Sequence, residues 1–271
     1  MFKKYTRTTI VSLSVLTLLT FGGCKDGGLN IFTLEDDKTF GAQVETEIAA
    51  NPTEYPLLDK TQYASSYAYL ESMKQTILAS GKLNHANDFV WKLYIIQDDN
   101  TQNAFCTPGG YIYVYTGLIK YLDNASSLAG VMGHEMAHAD RRHSTDQMTE
   151  TYGLQTMLDI VLGKNQNELT NIAANLTDLA FSRSREKEAD EYSVIYLCPT
   201  QYRADGAADF FIKLTNDPAF QNSTPAFLST HPNPENRVSN IETKKSTLGC
   251  NNTPTNQVEV TDYATFKASL P

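Results

Sequence analysis

The stretch VMGHEMAHADRRH, residues 131–143, constrains the fold most, because it asks one segment to be apolar enough for a core and yet to carry imidazoles there. Val131, Met132, Met136 and Ala137 surround His134, Glu135 and His138, which stand in the order H-E-x-x-H. On a helix His134 and His138 differ by about 40° in direction and about 6 Å in height, so both rings can reach one ion. Zinc at about 2.0–2.1 Å from each nitrogen suits that spacing, and Glu135 can hold a water without ligating the metal. Two unpaired histidines on a buried helix would be costly, which favours a metal site over a surface helix that happens to carry histidines. His143 lies about 140° away from His138 on a continuous helix and is not expected to bind the ion. His85, in a polar loop, has no evident partner.

Lys3, Lys4 and Arg7 precede the apolar run TTIVSLSVLTLLTFGG, which is too short and too abruptly ended for a membrane span and reads as a secretory signal over residues 1–23. The run ends Gly22-Gly23-Cys24, as bacterial lipoprotein signals do, although Phe21 stands where such signals usually carry Leu. Cys24 is therefore the expected lipidation site and residues 24–35 the tether, the alternative being a plain cleaved signal. Loss of the three cations of the leader takes the formal charge from −9 to −12. So acidic a chain, with no Lys/Arg stripe, repels polyanions, and no nucleic-acid partner is expected. Cys106, Cys198 and Cys250 lack C-x-x-C spacing; in an exported protein Cys198 and Cys250, each at the end of an expected element, are expected to pair, leaving Cys106 free.

Apolar content of 41% over 271 residues supports one substantial core. Helices are predicted over 34–51, where Phe40, Val44 and Ile48 recur every four residues, then over 61–80, 126–143, about 147–162, about 168–197, 204–216 and up to about 245. FVWKLYIIQD from Phe89 and the two runs flanking Pro-Gly-Gly in NAFCTPGGYIYVYTGL predict a small sheet. QVEV, residues 257–260, is a further candidate strand in an otherwise polar tail, 249–271. The expected class is α+β, mainly helical, with the sheet beside the H-E-x-x-H helix and one catalytic-sized domain over 36–248.

A catalytic zinc needs a third protein ligand and an open fourth position. FSRSREKEADEY offers Glu186 and Asp190, four apart and on one face, though REKE alone reads equally well as a solvated charged face. Glu188, about 160° from that face, is left as surface. Ser182, Arg183, Glu186, Ala189 and Asp190 match the S-R-x-x-E-x-x-A-D pattern, and here the chain resembles the gluzincin metalloproteases of the CAAX prenyl protease, HtpX and BepA kind. The resemblance runs from about Asp37 to Lys245 and includes N-A-F-x-x-P-G-G-x-I-x-V-x-x-G-L at Asn103–Leu118 and the late STHPNPENRV segment.

The resemblance implies a zincin-like fold and one zinc per chain held by His134, His138 and Glu186, with Asp190 holding a ligand histidine in the right tautomer. It also implies that His231 approaches the zinc, as an extra ligand that holds the enzyme off or as a donor to the oxyanion, with Arg237 helping at the same charge. Gly110, Tyr111, Ile112 and Tyr113 are expected on an edge strand that pairs with extended protein or peptide substrates, the alternative being an interior strand. Membrane-spanning relatives carry extra hydrophobic helices that are not found here after residue 23. The expectation is thus a metalloendopeptidase of the bacterial cell envelope, lipid-anchored on the periplasm-facing outer membrane or at the cell surface, working on envelope proteins, misfolded ones among them. Glu135 would take a proton from a water and return it to the leaving amine. A latent or non-proteolytic, chaperone-like zinc lipoprotein is the rival reading, and Glu135, which a structural site would not need, argues against it.

Overall fold

In the computed structural model, which describes residues 32–220, 225–232 and 236–271, the chain is mainly helical with one small sheet. Residues 1–31, which carry the expected signal, Cys24 and most of the tether, lie outside the described residues. The first elements are α1 (Leu34–Ala50), α2 (Ala64–Leu78), β1 (Lys92–Ile96), β2 (Ala104–Thr107) and β3 (Tyr111–Tyr115). Thr33 starts α1 with a reciprocal cap: its hydroxyl accepts from the Asp36 amide, and its own amide donates to the Asp36 carboxylate.

The sheet order is β1-β3-β2, β1 running parallel to β3 and β2 antiparallel to it. Pro108-Gly109-Gly110 turns β2 into β3, with φ +79° and +87° at the two glycines; a Cβ at Gly109 would also stand 2.9 Å from the Lys38 backbone. The period-two alternation of β3 separates two cores. Ile112 and Val114 face one that includes Leu70, Met73 and Leu93, while Tyr111, Tyr113 and Tyr115 face another with Phe40, Val44 and Ile48.

β3 is thus the central strand, which corrects the expectation of an edge at Gly110, Tyr111, Ile112 and Tyr113. Its ladder is taken up on both sides, by Lys92–Ile96 and by Ala104–Thr107, so it cannot add a substrate strand. The outer edge of β1 makes a bridge with Leu57, and the outer edge of β2 pairs with no strand among the described residues.

Next come α3 (Thr116–Tyr121), α4 (Ala125–Asp140), α5 (His143–Tyr152), α6 (Leu154–Val161) and α7 (Gln166–Ala174). They are followed by α8 (Arg183–Leu197), α9 (Gly206–Asn216), α10 (Ala226–Thr230), α11 (Arg237–Leu248) and α12 (Asp262–Ala268). α4 is the central helix, buried at every residue and packed on α8, α9 and β2. Small residues allow this close approach: a Cβ at Gly130 would lie 2.1 Å from the Ala207 nitrogen, and the Ser193 hydroxyl donates to the Gly130 carbonyl at 2.7 Å.

Three expected helices are shorter than the apolar pattern suggested. The helix predicted over about 168–197 is broken between Asn175 and Ser182, where Ser182 caps α8 by accepting from the Arg185 amide. That break turns Leu176, Leu179 and Phe181 toward the cleft beside α5. The helix predicted over about 147–162 is divided at Gly153, φ +83°, and α4 stops at Asp140 ahead of Arg142, φ +62°.

The segment after Gly249 is no polar tail. QVEV forms a π-helical turn rather than a strand, leading into α12, whose Tyr263 and Phe266 are buried in the main core, so the packed unit extends past residue 248. The expected Cys198–Cys250 disulfide is present, with Cys106 free and buried. Replacing Cys198 and Cys250 by Ser is expected to lower stability by about 2–4 kcal/mol, since a loop of 52 residues is no longer closed in the unfolded chain. Denaturant titration checks this, and an unchanged midpoint would mean the closure contributes nothing. Among the described residues no helix is long and apolar enough to cross a membrane.

Candidate metal centre

The fold delivers three histidines and a carboxylate to one point. α4 carries His134 and His138 one turn apart, with their Nε2 atoms 3.1 Å from each other. α8 crosses α4 and brings Glu186, whose Oε1 is 3.4 Å from His138 Nε2 and whose Oε2 is 3.5 Å from His134 Nε2. His231 ends α10 and places Nδ1 3.0 Å from Glu186 Oε1 and 3.3 Å from His134 Nε2. Donors about 2.0–2.1 Å from one tetrahedral ion stand about 3.3–3.4 Å apart, so these separations are those of a ligand shell. The donors themselves, imidazole nitrogens and one carboxylate, suit a borderline divalent metal.

Two buried oxygens reinforce the fit. Glu186 Oε2 and Glu135 Oε1 have no hydrogen-bond partner, although Arg237 Nη1 lies 2.9 Å from the former as an ion pair. Glu135, next to His134, points past the cluster, with Oε1 3.5 Å from His231 Nε2. All five side chains are at most 1% exposed.

The surrounding charges favour a cation. Burial alone would push the His134 imidazole down, but the carboxylates of Asp190 and Glu186 outweigh it and push its pKa up to about 9. The same field that would hold an imidazolium would suit a metal ion. Burial raises the Glu186 carboxyl, yet the charge on His231 and hydrogen bonds from three histidines drive it well below its ordinary value. Burial lowers the His138 imidazole, favouring the neutral ligand form, and raises the Glu135 carboxyl, moving it toward the range useful to a general base.

A model of peptidase family M48 matches residues 64–245. The chain belongs to peptidase family M48. Over 168 residues it is 27% identical to the beta-barrel assembly-enhancing protease of Yersinia pestis, covering 57% of this chain and 34% of that one. Over 173 residues it is 28% identical to the mitochondrial metalloendopeptidase OMA1 of Schizosaccharomyces pombe, covering 63% and 50%. The metalloprotease LoiP of Escherichia coli is 27% identical over 265 residues, 90% of this chain and 98% of the relative. The chain thus spans a third to a half of the length of the first two relatives.

In this M48 chain further side chains pack against the four donor residues. His134 Nδ1 is 2.9 Å from Asp190 Oδ1, so a proton is held on Nδ1 and Nε2 is the nitrogen that would be offered to a metal ion. Arg237 grips Asp190 with Nε at 2.7 Å and Nη2 at 2.5 Å, and its guanidinium lies over the Phe211 ring. Arg237, expected to help at the oxyanion, has its guanidinium engaged with Asp190 and Glu186 beside the cluster. Phe181 stacks on His138 and Phe227 on His231. Phe181, Phe227 and the His143–Glu188 pair behind His138 were not read from the sequence; for the aromatics no signal distinguishes them from ordinary core residues. The strand next to α4 is β2, beside an apolar pocket lined by Phe105, Met148, Leu176, Phe181 and His231, and Tyr111–Tyr113 pair with its far side.

Proposed function

We propose that this chain is a zinc-dependent endopeptidase of the bacterial cell envelope that cuts extended segments of other proteins. The observation that carries the reading is the buried Glu135 carboxylate, one oxygen of it without a donor, beside a donor set of two α4 histidines and Glu186. A structural metal would need no such acid. His134, His138 and Glu186 would hold the ion, and bound zinc supplies Lewis-acid polarisation of a peptide carbonyl and acidifies a water. Glu135 receives the proton and hands it to the leaving amine, for which its raised pKa suits it. Asp190 and Arg237 keep His134 in the ligating tautomer. The substrate chain would run beside Ala104–Thr107, whose outer edge pairs with no strand among the described residues although Ser144 already donates to the Cys106 carbonyl, and main-chain pairing there would depend little on sequence.

The envelope setting is supported by the leader-like start, by a Cys198–Cys250 disulfide that suits an oxidising compartment, and by relatives named for beta-barrel assembly. Lipid anchoring through Cys24, at the periplasmic face of the outer membrane or at the cell surface, belongs to the same proposal, as do misfolded envelope proteins as substrates. The test is cleavage of casein by the mature protein: activity should vanish with a chelator and return with zinc. Chelator-insensitive cleavage, or none at any zinc level even after His231→Ala, would refute it.

His231 gives the proposal a second part. As a fourth donor beside Glu135 it would occupy the position a substrate carbonyl needs and so keep the enzyme latent. His231→Ala is expected to raise casein cleavage about tenfold or more, the gain that a closed state favoured by about 1.4 kcal/mol would hide. A fall in activity would instead assign His231 to the oxyanion.

A further inference from the structure

The second ligand histidine is backed by a route unlike that of the first. His134 meets a buried carboxylate directly, Asp190. Behind His138 stands another imidazole: His143 Nδ1 is 3.2 Å from His138 Nδ1, and His143 Nε2 is 3.3 Å from Glu188 Oε2. Arg141 Nε donates at 2.9 Å to the other Glu188 oxygen and lies over the Tyr192 ring. His143 is buried, whereas the Glu188 side chain is 40% exposed.

With a metal ion on the Nε2 side of His138, one proton arrangement satisfies every contact. With the His138 Nε2 lone pair facing the centre, its proton is on Nδ1 and donates to His143 Nδ1. The His143 proton is then on Nε2 and donates to Glu188, which Arg141 holds in place. Each proton has a single acceptor, and the line ends at the protein surface.

The backbone is bent to make this possible. Arg142 takes φ +62°, uncommon for a residue with a Cβ, and so turns the chain from α4 into α5 and returns His143 to His138. The turn is held by long-range contacts. Arg142 Nε donates to Asp37 Oδ2 at 2.6 Å and its Nη2 to the Phe32 carbonyl at 2.5 Å, while Thr145 Oγ1 donates to Asp37 Oδ1 at 2.8 Å. A left-handed non-glycine residue kept in place by a distant helix is what a requirement on the position of His143 would produce.

We infer that His143 and Glu188 form a relay that fixes the orientation and tautomer of His138, and so act as positioning residues for the metal. The inference rests on the metal reading of His138 given above. The outer partners of ligand histidines typically contribute about 10–100-fold to metal affinity.

The experiment measures zinc dissociation constants by competition with a chromogenic chelator, together with the visible spectra of the cobalt-substituted proteins. His143→Ala and Glu188→Ala are each expected to weaken zinc binding about tenfold or more and to shift the cobalt bands. Glu188→Gln, which keeps an acceptor oxygen, should recover most of the loss, and the double variant should lose no more than His143→Ala alone. Glu191→Ala removes a carboxylate of the same helix that pairs with Lys244 and should leave zinc binding unchanged. Wild-type affinity and spectra in His143→Ala and Glu188→Ala, additive losses, Glu188→Gln no better than Glu188→Ala, or an equal loss in Glu191→Ala would each overturn the relay. Thermal unfolding of the metal-free proteins separates folding from binding; should His143→Ala not fold, the half-exposed Glu188 decides alone. Failure of the unaltered protein to bind zinc would sink the metal reading itself, a result distinct from loss of the relay.

Discussion

Glu135→Gln is expected to cut kcat/KM for casein by about 10²–10⁴-fold while leaving zinc content and melting temperature unchanged. The substitution keeps the shape of the side chain and removes only the ability to take a proton. Glu135 is 1% exposed, one of its oxygens has no hydrogen-bond donor, and its nearest charged partner, His231 Nε2, is 3.5 Å away, so an amide of the same shape fits without loss of a hydrogen bond. Burial already opposes that charge, and the neutral amide should be tolerated at least as well. A variant within a few-fold of wild type would remove Glu135 from proton transfer; one that lost zinc would make it a ligand.

The largest expected effect on stability comes from Arg237. Its side chain is 1% exposed and faces two buried carboxylates, Asp190 and Glu186. Arg237→Ala leaves both without their cation and is expected to destabilise the metal-free protein by about 3–5 kcal/mol, as loss of one partner of a buried pair does. Arg237→Lys should recover little, because an ammonium can neither bridge both oxygens of Asp190 nor spread over the Phe211 ring as the guanidinium does. Zinc should mask part of the loss by supplying a cation nearby, so the comparison belongs in chelator, by urea titration. A loss under about 1 kcal/mol in Arg237→Ala would mean that the two carboxylates are neutralised by other means.

The sequence makes local features legible and non-local ones not. The four-residue recurrence of Phe40, Val44 and Ile48 states α1, and all three lie in one core; H-E-x-x-H in an apolar run states a buried helix with paired imidazoles. Glu186 is a different case: its own surroundings read as a charged surface, and only the resemblance to known metalloproteases singled it out, yet it is fully buried against both histidines. The central place of β3 is not legible because its neighbour across the sheet, Lys92–Ile96, is a parallel strand, and such a pairing leaves no mark in the run of residues itself. His143 shows a subtler limit. The 140° rotation that set it apart from His138 assumes one unbroken helix, whereas Arg142 reverses the backbone and brings the two rings together. The conformation of Arg142 depends on contacts with Phe32 and Asp37 more than a hundred residues away in sequence. Cys198 and Cys250 pair as their positions suggested, but the helix that follows, anchored by Tyr263 and Phe266, was hidden by polar neighbours.

Anomalous diffraction from crystals of the zinc-loaded protein, collected above and below the zinc edge, tests the centre most directly. One strong peak is expected about 2.0–2.1 Å from His134 Nε2, from His138 Nε2 and from a Glu186 carboxylate oxygen, with Glu135 outside bonding distance. No peak between α4 and α8, or a zinc bound elsewhere with Glu186 turned away from the histidines, would contradict it.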